Sequence, residues 1–223
     1  MSRLIFASLF TEGATDVKFL ESVVKKTLDE VAFYCKGDKE TELKVINIRK
    51  SGLDFVEQVL EASKKGLEEY GIMILCVHAD ADNYNPENTY KYKIKPAQEA
   101  LFEKDDKEYC KILVAVVPIQ EMEAWMLADK ELLKRQLNTD KPDFELGIGQ
   151  NPEEITQPKE RIEEAIRITR QNLPKRRRRD LTISDLYLPI GQELEIDKLS
   201  QLPSFQKFRE SLEDAFRMLN LLA

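Results

Sequence analysis

Through the first 137 residues, short apolar runs rich in β-branched side chains alternate with stretches of helical periodicity, and this alternation limits the possible folds more than any other feature. Residues 4–10 read as a strand. Residues 15–28 put Val17, Phe19, Leu20, Val23, Val24 and Leu28 on one face of a helix. The pattern returns as a strand over 44–49, a helix over 53–70 and a strand over 72–78. A polar stretch to residue 92, a short helix over 97–102 and a strand over 112–118 follow. A helix over 121–137, with a stripe of Met122, Trp125, Met126 and Leu133, closes the unit. Strands separated by helices form parallel pairs, because parallel neighbours need a crossover connection. The expected architecture is α/β: a mainly parallel four-stranded sheet in the order 2-1-3-4 with helices on both faces.

From residue 138 the texture changes to Gly, Pro and charge, with helices expected over 159–171 and 205–222. The expected organisation is thus a domain over 1–137 and a mainly helical C-terminal extension over 138–223. At 42% hydrophobic and 34% charged residues, the chain can bury a core and keep a solvated surface, which excludes a disordered tail. Its longest apolar runs fall far short of the ~20 residues that cross a bilayer, so no membrane association is expected. Three cysteines without a CxxC pair and a single histidine exclude a disulfide framework and a zinc finger, and suggest the reducing cytoplasm. A net charge of −7 disfavours indiscriminate coating of nucleic acid, but an enzyme acting on phosphodiesters needs only local basic patches.

In an open parallel sheet the ligand site lies beyond the carboxyl ends of the strands, where the connections diverge. After the first strand comes Thr11-Glu12-Gly13-Ala14-Thr15-Asp16, in which a glycine permits a tight turn between two carboxylates. After the third comes His78-Ala79-Asp80-Ala81-Asp82, where the alternation of an extended chain sends Asp80 and Asp82 to one side. If these strands are neighbours, four acids converge. Such a cluster is unstable as bare anions, and an all-oxygen donor set suits Mg²⁺ or Mn²⁺. Either motif alone is common in unrelated chains, where acids at strand ends serve as solvated turn residues. Both at the ends of the first and third strands of one α/β pattern are far more specific.

Over roughly residues 3–135 this combination resembles the TOPRIM superfamily, with its Glu-Gly turn after one strand and Asp-x-Asp after a later one. The resemblance implies a TOPRIM-like (Rossmann-like) fold, with Glu12, Asp80 and Asp82 catalytic and also binding the metal. Asp16 would be the supplementary acid seen in the TOPRIM nucleases of the overcoming-lysogenization-defect type. The segment Pro118-Ile119-Gln120-Glu121-Met122-Glu123-Ala124-Trp125 resembles one in small stand-alone TOPRIM-like proteins, some of which accompany ATPases in phage defence. Glu121 and Glu123 point in different directions at a helix start, and Glu121, nearer the strand, is the one expected to join the metal site. Both could instead merely favour the positive helix N-terminus. Because the chain has room for neither a topoisomerase clamp nor a primase body, the implied activity is Mg²⁺- or Mn²⁺-dependent cleavage of DNA, or of RNA, with a possible ATPase partner.

Two basic stretches could hold nucleic acid. Tyr84 and Lys91, Lys93 and Lys95 interleave rings with ammonium groups beside the acids, suiting both base and phosphate. Arg176, Arg177, Arg178 and Arg179 form the other patch, with Arg161, Arg167 and Arg170 upstream. Each stretch reads equally as a solvated surface. His78 could orient the acids or simply end its strand, and Trp125 and the cysteines read as core. A competing function is a non-catalytic regulatory or interaction subunit of an ATPase complex, docking through the helical part; self-association into a homo-oligomer also stays open. A phosphatase-like hydrolase would carry its Asp-x-Asp after the first strand, not the third.

Overall fold

The structure, a computed structural model, describes residues 3–222. In chain order its strands and α-helices are β1 (Arg3–Phe10), α1 (Val17–Phe33), β2 (Lys39–Val45), α2 (Phe55–Tyr70), β3 (Ile74–His78), α3 (Glu87–Thr89), α4 (Lys95–Phe102) and β4 (Leu113–Val116). Seven more helices follow: α5 (Glu123–Met126), α6 (Lys130–Leu137), α7 (Asp143–Leu146), α8 (Pro158–Arg170), α9 (Tyr187–Glu193), α10 (Ile196–Leu199) and α11 (Pro203–Met218). The four strands form one sheet in the order β2-β1-β3-β4, with every pair parallel.

The alternation of side chains along β1, β3 and β4 feeds two cores. Ile5, Ala7 and Leu9 of β1, Ile74 and Cys76 of β3, and Val114 and Val116 of β4 point to one face. There they meet α1 and the helices of the C-terminal part in one continuous apolar cluster. Phe10, Leu75, Val77, Leu113 and Ala115 point to the other face, against Val59 and Ala62 of α2 and Ala97 and Leu101 of α4. β3 is covered on both sides and buried at every position, which is why Ile74–His78 is an unbroken apolar run up to its histidine.

Three elements differ from the sequence pattern. The second strand is Lys39–Val45 rather than 44–49. It is an edge strand, and its acids Glu40 and Glu42 disguise a two-residue alternation in which Thr41 and Leu43 are buried. The helix expected over 121–137 is broken into α5 and α6. Asp129 ends the first segment and starts the second by accepting the Leu132 N–H at 2.9 Å, an N-cap inside an apparently continuous stripe. The short α9 and α10 lack a long periodic signature and emerge only from packing.

The C-terminal helices are joined to the sheet by more than apolar contact. Trp125 is fully buried against Phe205 and Phe208 of α11, with ring centroids 5.3 and 6.1 Å away, and its indole N–H donates to Ser204 Oγ at 2.7 Å. Lys26 of α1 donates to the carbonyls of Gly191, Gln192 and Leu194, placing a cation on the C-terminal end of α9. The two helices lie so close that a Cβ at Gly191 would sit 2.8 Å from the Phe19 carbonyl oxygen.

Candidate functional site

The carboxyl ends of β1 and β3 are adjacent, and the acids that follow them are organised in two layers. The inner layer is a triad of a buried histidine between two half-buried carboxylates. Gly13 N–H donates to Asp16 Oδ2 at 2.8 Å, closing the loop after β1. A Cβ at Gly13 would fall 2.7 Å from that same oxygen, so any larger residue there must displace the Asp16 carboxylate. Asp16 then faces His78, the last residue of β3, whose Nδ1 lies 3.3 Å from Oδ2. That is the geometry of a charge contact without an aligned hydrogen bond. On its other side His78 Nε2 is 3.2 Å from Asp80 Oδ1, which also accepts the Met122 N–H at 3.0 Å.

His78 is fully buried. Burial alone would lower its pKa, but the contacts with Asp16 and Asp80 overcome it and push the value up to about 9. The imidazole is therefore a cation at neutral pH, shared between two carboxylates. For Asp16 the opposing effects also resolve in favour of charge: burial raises its pKa, while His78, the Gly13 N–H and the Thr15 hydroxyl hold it below the ordinary carboxyl value.

The outer layer is exposed. Glu12 projects from the loop after β1, and its two carboxylate oxygens accept from Lys93 Nζ at 3.0 and 2.8 Å. Lys93 stands on a single π-helical turn, Tyr90–Ile94, a local widening of the helix common at functional sites. Asp82 does not continue the extended alternation of β3: its φ is +54°, and Gln120 opposite it has φ +64°. The two are paired, Asp82 N–H donating to Gln120 O at 2.8 Å and Gln120 N–H to Asn83 O at 3.1 Å, so the loops after β3 and β4 brace each other. Left-handed non-glycine residues are uncommon, and a facing pair of them marks stored backbone strain.

These outer acids sense one another. Burial, then Asp80, raise the Asp82 pKa, Lys93 opposes them, and Glu12 adds to the rise. Glu121 is pushed up by burial, with Asp80 and Asp82 contributing against Lys159. Asp82 thus lies within electrostatic reach of Glu12 and Asp80, and Glu121 within reach of Asp80 and Asp82, while Asp16 is engaged with His78 and Gly13. Glu123 points away into the core and accepts the Tyr187 hydroxyl at 2.6 Å.

The donor chemistry, carboxylate oxygens under mutual repulsion, fits a hard divalent cation. The placement is open rather than closed, for among the described residues no group of three or more His, Cys, Asp or Glu is set around a common metal position. The ammonium of Lys93 supplies the positive charge at Glu12.

The basic residues separate. Lys93 reaches the acids; Lys91 lies over the Tyr92 ring at 4.9 Å, and Lys95 pairs with Glu99 at 3.8 Å. Tyr84 is not free to stack on a base through an unattached ring, since its hydroxyl bonds Thr156 and the Glu154 carbonyl. Arg177–Arg179 form a 3₁₀ turn continuing from Arg176, docked on α8 by Arg170, whose guanidinium donates to the Arg177 carbonyl. One contributor had an ambiguous sequence signal and another had none. His78 has its role only because Asp16 comes to its other side. Lys50, just beyond the neighbouring edge strand, donates to the carbonyls of Thr11 and Glu12 at 2.6 and 2.7 Å and fixes the loop that carries the glutamate.

Fold and site together define an all-parallel α/β protein with a row of carboxylates at its strand ends. The chain belongs to the DUF4276 family, a domain of unknown function, which it matches over residues 11–213. No curated protein and no solved structure matches it. Among the described residues no helix is long and apolar enough to cross a membrane.

Proposed function

We propose that this protein is a TOPRIM-like, Mg²⁺- or Mn²⁺-dependent phosphodiester hydrolase acting on DNA or RNA, with DNA the better candidate. The observation that carries the reading is the placement of Glu12, Asp80, Asp82 and Glu121 just after β1, β3 and β4, with Asp82 within electrostatic reach of Glu12 and Asp80, beside the boundary between β1 and β3 where the connections leave to opposite faces. Asp80 and Asp82 would hold the cation, with Glu12 and Glu121 beside them. A bound ion of this kind lowers the pKa of a water and stabilises a leaving oxygen. The protein's part is positioning: His78 and the Met122 N–H fix Asp80, Lys50 fixes the Glu12 backbone, and the paired loops fix Asp82. Lys93 must give up Glu12, or share it, when substrate phosphate arrives. An ATPase that controls access to DNA is the partner this reading accommodates.

A specific observation favours a second reading, a non-catalytic interaction subunit of an ATPase complex. Glu12 is already neutralised by Lys93, and the described acids do not close around an ion. Incubation of the purified protein with supercoiled plasmid, linear DNA and RNA, in Mg²⁺ or Mn²⁺ and in chelator, separates the two. Metal-dependent strand scission supports the hydrolase. Its absence on every substrate, repeated with the ATPase present, supports the subunit.

A further inference from the structure

Beside the acids a cavity of about 540 Å³ opens between the loop after β1, helix α8 and the segment following the arginine turn. Thr15, the neighbour of Asp16, forms one lip. Lys159 and Arg178 stand on the rim, and Leu181, Ile183 and Tyr187 supply an apolar floor. Its size falls in the range that encloses small-molecule ligands, ~300–1,000 Å³. Its chemistry is divided in the same way as a nucleotide's, with cations for a phosphate and apolar side chains for a base.

The rim is built rather than loose. Arg178 Nε donates to the Leu173 carbonyl at 2.7 Å, which leaves its terminal nitrogens for a ligand. Asp185 bonds both the backbone N–H and the hydroxyl of Thr182, at 2.8 and 2.7 Å, which holds the segment bearing Ile183 in a capped turn. Glu163 on the wall and the Glu164 partner of Arg167 temper the positive charge. Lys159 is the shared boundary: its backbone N–H, and then its charge, lower the Glu121 pKa on one side, and the residue lines the cavity on the other.

We propose that this cavity binds one nucleotide of the strand whose phosphodiester lies at the acids, with its phosphate on Lys159 and Arg178 and its base on the Leu181, Ile183 and Tyr187 floor. The proposal rests on the hydrolase reading for the identity of the strand, but its test needs neither metal nor turnover.

A nucleoside 5′-monophosphate is titrated into the full chain by calorimetry in chelator, alongside inorganic phosphate and the uncharged nucleoside. The nucleotide should bind at least about tenfold more tightly than either fragment, a difference of ~1.4 kcal/mol. Ser184→Trp, which fills the cavity from an exposed position, and Lys159→Ala should each weaken it by about tenfold with the thermal midpoint held. No binding by the wild type, affinity for phosphate equal to that for the nucleotide, or undiminished affinity in both cavity variants would overturn the proposal. Lys159→Ala decides the matter if Ser184→Trp fails to fold. Nucleotide binding without any nuclease activity would sink the hydrolase reading and keep the cavity; cleavage with an unresponsive cavity would do the reverse.

Discussion

The inner and outer acids at the strand ends are of the same residue types, a few residues apart in sequence, yet they do different things. Asp16 and Asp80 are partly buried, bonded to backbone N–H groups and joined through a charged His78. Glu12 and Asp82 are exposed, and their neighbourhood is one of repulsion relieved by a movable lysine. The contrast teaches that a cluster of carboxylates contains both the frame and the working edge. Asp80 belongs to both, because one oxygen is spent on His78 and Met122 while its charge still reaches Asp82 and Glu121.

The inner layer should break hardest. Replacing His78 with Gln removes the cation between two carboxylates, and a loss of about 3 kcal/mol in unfolding free energy is expected, as for a disrupted buried ion pair. The loss should depend on pH in both directions. The histidine's pKa is raised, so its contribution is complete below its ordinary 6.5 and disappears as pH rises through about 9. That of Asp16 is lowered, so its contribution is present above the ordinary 3.8 and fades as pH falls through the lower folded value. Denaturant titrations of wild type and His78→Gln should therefore diverge most between pH 3.8 and 6.5 and converge above about 9. A pH-independent gap would mean that His78 acts only as packing.

Gly13→Ala tests the same layer more gently. The new Cβ must displace the Asp16 carboxylate from 2.7 Å, and roughly 2 kcal/mol is the expected cost of such overpacking. Unchanged stability in a thermal melt would show that the loop relaxes freely.

The outer layer should respond in function rather than in folding. Lys93→Met breaks a half-exposed ion pair worth at most about 1 kcal/mol. It should also lower the Mg²⁺ concentration that gives half of the metal-induced rise in thermal midpoint, because the competing cation is gone. A higher requirement would make Lys93 an ally of the metal instead of its rival. Asp82→Asn should change stability least, within about 0.5 kcal/mol, since Asn tolerates the left-handed backbone and relieves repulsion. It should nevertheless blunt the metal-induced shift, and a full shift would remove Asp82 from the ligand set.

The sheet was legible in the sequence because β1, β3 and β4 are buried strands whose apolar runs stand out between helical periods, and the acids were legible because they sit directly at those strands' ends. What the sequence concealed has physical causes. β2 is an edge strand with a polar face, so its alternation hides among charges. Asp82 leaves the extended conformation through contact with Gln120, a residue 38 positions away that the local pattern does not contain. His78 reads equally as a strand end or an orienting group until Asp16 closes on it, Lys93 reads as a nucleic-acid contact until it meets Glu12, and Lys50 enters only through the sheet neighbour that brings its segment to the Glu12 loop.

The measurement that tests the central claim most directly is metal-dependent cleavage of plasmid DNA by the wild type and by Glu12→Ala, with thermal midpoints recorded for both. Glu12 is exposed and contacts no core, so its loss should leave the midpoint within a degree or two of wild type, on the order of 0.5 kcal/mol. Cleavage should fall by at least about a hundredfold, because misplacing a reacting group by about 1 Å is enough for that loss. Equal cleavage by the two proteins at equal stability would contradict the account.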